Sequence, residues 1–447
     1  MKKIINGITL GLSIVIMSSL VAGCGVGSNN ETISHSSMQN IRGNSEEVTI
    51  TFGIHVADPQ VQEPVTAEIV RVFNEQHAGE IRVVFEAADT SAHNRNLKLR
   101  AADGTKPEVF WLDASIAPEF AEGGYLMDLS NFLYEHPAVN NALDASVKSA
   151  FHNGYIQFGL PYQSNVVGFF YNKEVFTANN ISTPNSTTTY EELLVIIRQL
   201  NEASIIPIAQ GSVDKFAVWA FLTMLDRFGY SDFINDILEG RKSFNNTNLL
   251  RCFEKFYELG KVDAFPPNMA TIGYFNAKEL FKSGEAAMFN SGAWDSSELD
   301  EALGDNVGFW WGPIFSDSSF NQERAMKVPS APISVSARVT EDTRIQEAVY
   351  TFLAFYYSKE AAEISFAGSV FPATNFTDIE IAEDQFAFNA ILSALAESWE
   401  SPSTQPDLVL SSAMQSQLHD SMLGVMLGNY QPEEALNKLD NQLSFEN

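Results

Sequence analysis

Apolar and polar side chains begin to alternate at Val48. Val48, Ile50, Phe52 and Ile54 are interleaved with Thr49, Thr51 and Gly53, the period-two signature of a half-buried strand. Ile69, Val70 and Phe73 then predict a helix ending near His77-Ala78-Gly79, and residues 81–85 a second strand. Leu97 and Leu99 mark a helix that runs out at Gly104, and residues 107–112 read as a third strand. Strands alternating with helices predict βαβ units on a mostly parallel sheet.

The pattern continues in the same style. Residues 155–176 are rich in aromatic and β-branched positions, and Thr188-Thr189-Tyr190-Glu191-Glu192 starts a helix with a capping box. Tyr190, Leu193, Leu194 and Ile197 recur at i, i+3, i+4, i+7 behind it, and residues 205–208 predict another strand. Phe216, Trp219, Leu222 and Leu225 fall at near-helical spacing, which favours core packing for Trp219. Tyr274, Ala277, Leu280 and Phe281 predict a helix closed by Gly284 in a left-handed conformation. Residues 286–289 predict a buried strand, Ser291-Gly292 a turn, and Asp295 with Glu298 the cap of the next helix. Trp294 then falls in the loop at a strand's C-terminal end, where open α/β sheets bind ligands. If residues 307–313 are a strand, Trp310 and Trp311 point to opposite faces and only one can meet a cleft. An amphipathic helix over 346–356 and helices within 385–440 complete the chain.

The N-terminus has a different character. Lys2 and Lys3 precede a mostly apolar run over 4–20, and Val21-Ala22-Gly23-Cys24 has the small residues of a cleavage site. The cysteine at the first mature position resembles the bacterial lipobox, which implies residues 1–23 as a signal peptide and a lipid thioether on Cys24. Residues 24–47, poor in apolar side chains, read as a flexible tether from the membrane. Cys24 and Cys252 are the two cysteines, so a lipidated Cys24 leaves no intrachain disulfide, and Cys252 reads as buried and inert. The net charge of −29 without basic blocks argues against nucleic acid as a partner and suits an extracytoplasmic protein kept off an anionic membrane surface.

One stretch carries a resemblance. A helix ending Phe281-Lys282-Ser283-Gly284-Glu285-Ala286-Ala287-Met288, followed by Gly292-Ala293-Trp294, resembles the signature of extracellular solute-binding proteins, family 1, the sugar-capturing subunits of ABC importers that include maltose-binding protein. The match is collinear. Gly104 with Pro107-Glu108-Val109-Phe110, Leu160-Pro161-Tyr162, Phe170-Tyr171-Asn172-Lys173, Phe371-Pro372-Ala373-Thr374 and Gln431-Pro432-Glu433-Glu434-Ala435-Leu436 follow the family in order.

The resemblance implies an α/β, periplasmic-binding-protein-like (type II) fold of two lobes with a hinge and an interlobe ligand cleft. Its lobes would comprise 48–162 plus 329–376 and 163–328 plus 377–447, with a hinge near 162–166. It implies a carbohydrate ligand, an oligosaccharide by expectation, delivered to ABC permease subunits by a monomeric protein anchored to the cell membrane on its extracytoplasmic face. No enzymatic activity, cofactor or metal is expected. The helical tail has no clear Trp counterpart to the second stacking aromatic of maltose-binding proteins, which argues against a maltodextrin.

Sugars present hydroxyls at the rim and C–H groups on the faces, so their clefts need carboxylates or amides together with aromatic platforms. Trp294 is the first candidate platform, and Trp219 and Trp311 are weaker ones. His55 and Asp58 follow the first strand and Asp113 the third, although Asp113 also reads as a helix N-cap and His55 as a satisfied loop residue. Tyr162, Gln163 and Asn165 at the crossing, Tyr274 and Asp295 beside Trp294, and Phe371 in the returning loop complete the candidate set. The rival readings are a polyamine or peptide binder on the same fold and a secreted glycoside-acting enzyme. A metal-binding protein is disfavoured because His55, His77 and His93 lie on separate elements without ligand spacing. No phosphate-loop motif occurs, which excludes the importer's ATPase.

Overall fold

The computed structural model describes residues 47–446, apart from 102, 144–147, 377, 398, 403 and 404. Cys24, the expected signal peptide and nearly all of the expected tether lie outside the described residues.

Among the described residues, ten strands form two five-stranded sheets. They are β1 (Val48–Ile54), β2 (Ile81–Ala87), β3 (Val109–Trp111), β4 (Leu160–Pro161), β5 (Ser164–Asn172), β6 (Ile206–Ala209), β7 (Ala286–Gly292), β8 (Val307–Trp310), β9 (Met326–Pro329) and β10 (Pro332–Val335). The first sheet has the order β2-β1-β3-β10-β4, and the second β6-β7-β5-β8 with β9 paired to β5. β1 runs parallel to β2 and to β3, as the alternating pattern predicts. β10 arrives antiparallel between β3 and β4.

The chain leaves the first sheet at Tyr162-Gln163 and returns to it at Ser330-Ala331. The two passages are tied together. The Gln163 amide donates to Ser330 Oγ at 3.0 Å, and the Ser330 amide donates to the Gln163 carbonyl at 2.9 Å. Phe371 joins them, because its carbonyl accepts from the Ser164 amide at 2.9 Å.

Each lobe has its own core. Phe52, Phe73, Phe132, Leu160, Ile333, Phe352 and Leu353 fill the first. The second sheet is covered on both faces: Val167, Phe169, Met288 and Trp310 face one cluster, Val166, Phe170, Phe289 and Trp311 the other.

Local signals explain some of the element ends. Thr189 caps the Tyr190–Glu202 helix and exchanges hydrogen bonds with Glu192 in the expected capping box. Gly284 follows the Tyr274–Lys282 helix at φ +78°, a conformation that costs a residue with a Cβ about 1–2 kcal/mol. Two expectations are corrected here. β7 continues through Ser291 and Gly292, so the turn comes one step later, at Ala293–Asp295. Asp295 precedes the Ser296–Leu303 helix without capping it through its side chain.

Candidate functional site: the cleft between the lobes

Two adjoining cavities lie between the lobes and share Glu63 and Gln163 in their walls. One, of about 310 Å³, is lined by His55, Trp111, Asp113 and Tyr162 of the first lobe, by Asn165 and Ser330 at the crossings, and by Trp219, Gln405, Asp407 and His419 of the second. The other, of about 470 Å³, lies between Pro64, Val65, Glu68 and Gly368 on one side and Trp294 and Ser297 on the other.

On the first-lobe wall, His55 stacks on Trp111 with ring centroids 4.1 Å apart and planes inclined by 18°. Asp113 is oriented by its neighbours: Oδ2 accepts from Asn94 Nδ2 at 2.9 Å, and Oδ1 from the Ser115 amide and hydroxyl at 3.0 and 2.7 Å. Glu63 Oε2 accepts from Tyr162 Oη at 2.9 Å, and its Oε1 lies 3.7 Å from His55 Nε2. Burial pushes the Glu63 carboxyl up to about 7, against the opposing effect of the Tyr162 hydrogen bond. Burial also drives the His55 imidazole down to about 4, with His93 adding to the shift and Asp113 opposing it.

On the second-lobe wall, Trp294 is 36% exposed and its indole N–H donates to Tyr274 Oη at 2.9 Å. Tyr274 in turn donates to Asp295 Oδ2, which also accepts from Ser291 Oγ. Lys278 Nζ completes the set, 3.2 Å from Asp295 Oδ1 and 2.8 Å from Glu298 Oε1. Burial raises the Asp295 carboxyl, and Lys278 and the two hydroxyls pull it back. Gly292 matters because the Trp294 ring lies over it, in the space that a Cβ at 292 would occupy. The Gly-x-Trp spacing therefore lets the indole fold flat against the end of β7, where the Tyr274–Asp295–Lys278 chain fixes its rotation. Trp219 meets Trp294 edge-to-face, with centroids 4.8 Å apart.

A two-sheet fold crossed twice, with an aromatic and carboxylate-lined cleft at the crossings, invites comparison with known proteins. The sequence pattern described as bacterial extracellular solute-binding protein matches residues 55–363, more than half of the chain. The chain belongs to that family. A relative is an uncharacterised ABC transporter extracellular-binding protein of Pyrococcus horikoshii, 30% identical over 148 residues, which are 32% of each chain. The chain thus spans about a third of that relative's length. Among solved structures, a chitin oligosaccharide binding protein superposes with a TM-score of 0.76 at 20% identity, covering 89% of this chain and 98% of its own. An ABC substrate-binding protein from Listeria monocytogenes, in complex with cycloalternan, superposes at 0.71 with 19% identity, covering 90% and 99%.

In this extracellular solute-binding protein, the residues expected from the sequence separate into groups. His55, Asp113, Tyr162, Gln163, Asn165 and Trp219 line the first cavity, and Trp294 and Gln163 the second. Tyr274 and Asp295 are buried behind Trp294, whose indole N–H is bonded to Tyr274. Asp58 is exposed and caps the short Pro59–Gln62 helix, accepting from the Gln60 amide at 3.2 Å. Trp311 is 1% exposed and donates its indole N–H to the Ala394 carbonyl at 3.3 Å, because the Phe386–Leu395 helix covers that face of β8. Phe371 is buried against Phe388, centroids 4.3 Å apart, so its ring belongs to the core while its carbonyl serves the crossing. Glu63, Trp111, Gln405, Asp407 and His419 were not among the expected residues. His419 Nε2 lies 2.9 Å from Asp407 Oδ2, and Gln405 Nε2 donates to the other carboxylate oxygen at 3.0 Å.

Two predictions concern the cleft walls. Lys278→Met leaves the buried Asp295 without its cation and is expected to destabilise the protein by about 3–5 kcal/mol in urea unfolding. Adding Asp295→Asn should recover a large part of that loss, and strictly additive effects would refute the pairing. The second prediction is pH dependence. Glu63, held above its unfolded value, keeps a proton that the unfolded chain releases, so its contribution falls as pH rises towards about 7. His55, held below its ordinary 6.5, does the reverse and contributes rising stability from about 4 to 6.5. The two oppose one another. Glu63→Gln leaves His55 alone, so melting temperature should climb more steeply over that window than in the wild type; an unchanged slope counts against the assignment.

Proposed function

We propose that this solute-binding protein is a lipid-anchored, monomeric receptor that captures an oligosaccharide between its lobes and hands it to an ABC permease. The observation that carries the reading is the convergence in one cleft of aromatic side chains (Trp111, Trp219, Trp294) with a carboxylate and amides (Asp113, Gln163, Asn165, Gln405). Aromatic faces suit the C–H surfaces of a pyranose, and a carboxylate can accept from two adjacent hydroxyls. That the chitin oligosaccharide and cycloalternan binders share this fold supports a saccharide ligand. In this reading the lobes comprise 48–162 plus 329–376 and 163–328 plus 377–447, and closure about the crossings presents both lobes to the permease. The role is binding, with no reaction at the cleft.

A cationic solute such as a polyamine is the second reading. It is favoured by Asp113 and Asp407 in the first cavity, whose described lining contains no Lys or Arg.

Thermal unfolding against chito-, xylo- and malto-oligosaccharides, with spermidine as control, tests the choice. A ligand at a hundred times its Kd stabilises by about 2.7 kcal/mol, enough to raise the midpoint by a few degrees. Trp294→Ala should abolish most of a sugar-induced shift, whereas a response to spermidine alone would overturn the saccharide reading. Anchoring is tested separately: metabolic labelling with a radioactive fatty acid should mark the protein and vanish in Cys24→Ser. Persistence of label in that variant would place the lipid elsewhere.

A further inference from the structure

The second-lobe wall carries an aromatic residue to which the reading above gives no role. Phe216 is 54% exposed and lines the first cavity beside Trp219. Its ring centroid lies 5.8 Å from that of Trp219, with the planes inclined by 55°. Trp219 lies 4.8 Å from Trp294 at 72°. The three rings thus form a row that begins in the smaller cavity and ends in the larger one, and both cavities meet at Glu63 and Gln163.

The inclinations carry the argument. A pyranose is nearly flat on each face, so rings set 55° and 72° apart cannot both lie flat against the same face of one sugar unit. Rings so inclined fit successive units of a chain that turns along the row. Phe216 is held in place by its backbone: the Ala217 amide donates to the Asp214 carbonyl, the Val218 amide to the Phe216 carbonyl, and Asp214 Oδ2 accepts from the Tyr274 amide at 2.7 Å. The loop that presents Phe216 is therefore tied to the helix that positions Trp294.

Resting on the saccharide reading, we propose that Phe216 is a third sugar platform and that the cleft selects chains of three or more units. The outer unit packs on Phe216, the next on Trp219 and the inner one on Trp294, with Glu63 and Gln163 where the two cavities join.

The test is isothermal titration of the full protein with mono- to pentasaccharides of the chito, xylo and malto series. Affinity should rise with each added unit up to the trisaccharide and level off beyond it. In Phe216→Ala the gain from di- to trisaccharide, expected to be roughly three- to tenfold, should disappear, and Phe216→Tyr should keep it. Because Phe216 is exposed, both variants should melt where the wild type does, which separates lost binding from lost folding. Affinity that levels off at a mono- or disaccharide, or a Phe216→Ala variant that retains the trisaccharide gain, overturns the third platform and leaves the saccharide reading standing. Silence across every series, with a response to spermidine, removes both.

Discussion

Everything at the cleft depends on how the two passages between the sheets hold one another. Gln163 and Ser330 exchange hydrogen bonds, the Tyr162 amide donates to the Ala331 carbonyl at 3.1 Å, and Phe371 closes on Ser164 from the other side. Tyr356 and Tyr357 clamp the same stretch from the first lobe by donating to the carbonyls of Tyr162 and Pro161. Pairing of this kind fixes register along the strands while leaving a few residues free to absorb rotation between rigid bodies. The cavities open beside these residues, so a rotation of one lobe against the other would change their width.

The fold was legible in the sequence wherever burial is one-sided. The alternation in β1 and the i, i+3, i+4 spacing in the Tyr190–Glu202 helix each mark a single buried face, and both elements form as expected. The second sheet is different. Covered on both faces, β7 is buried at every position, so an apolar run there says strand without saying which side meets the ligand. Trp310 and Trp311 do point to opposite faces, yet both faces are core, and Trp311 has no cleft to reach.

The site was partly legible for a related reason. Residues that follow the C-terminal ends of strands, such as His55, Asp113 and Trp294, could be placed near a cleft because topology puts those ends there. Glu63, Asp407 and His419 carried no local mark among 56 acidic residues and seven histidines; they reach the cleft through long-range folding of the chain. Trp219 shows how periodicity misleads. Its spacing with Leu222 and Leu225 is helical, but it is the first residue of the Trp219–Asp226 helix, and its ring projects past the core towards Trp294. Tyr274 and Asp295 were expected at the ligand and stand one layer behind Trp294, a distinction that depends on side-chain depth.

The position of β10 has a consequence for how the chain reaches this state. β10 is an inner strand of the first sheet, pairing Ser334 with Phe110 on one side and Ile333 with Leu160 on the other. The first lobe therefore cannot close its sheet until the whole second-sheet segment has been made and the chain has come back. Until then β3 and β4 have no partner between them, and the loop closure that unites them is entropically slow. The lobe that starts the chain thus waits for β10, so commitment to the folded state is deferred until most of the polypeptide is present.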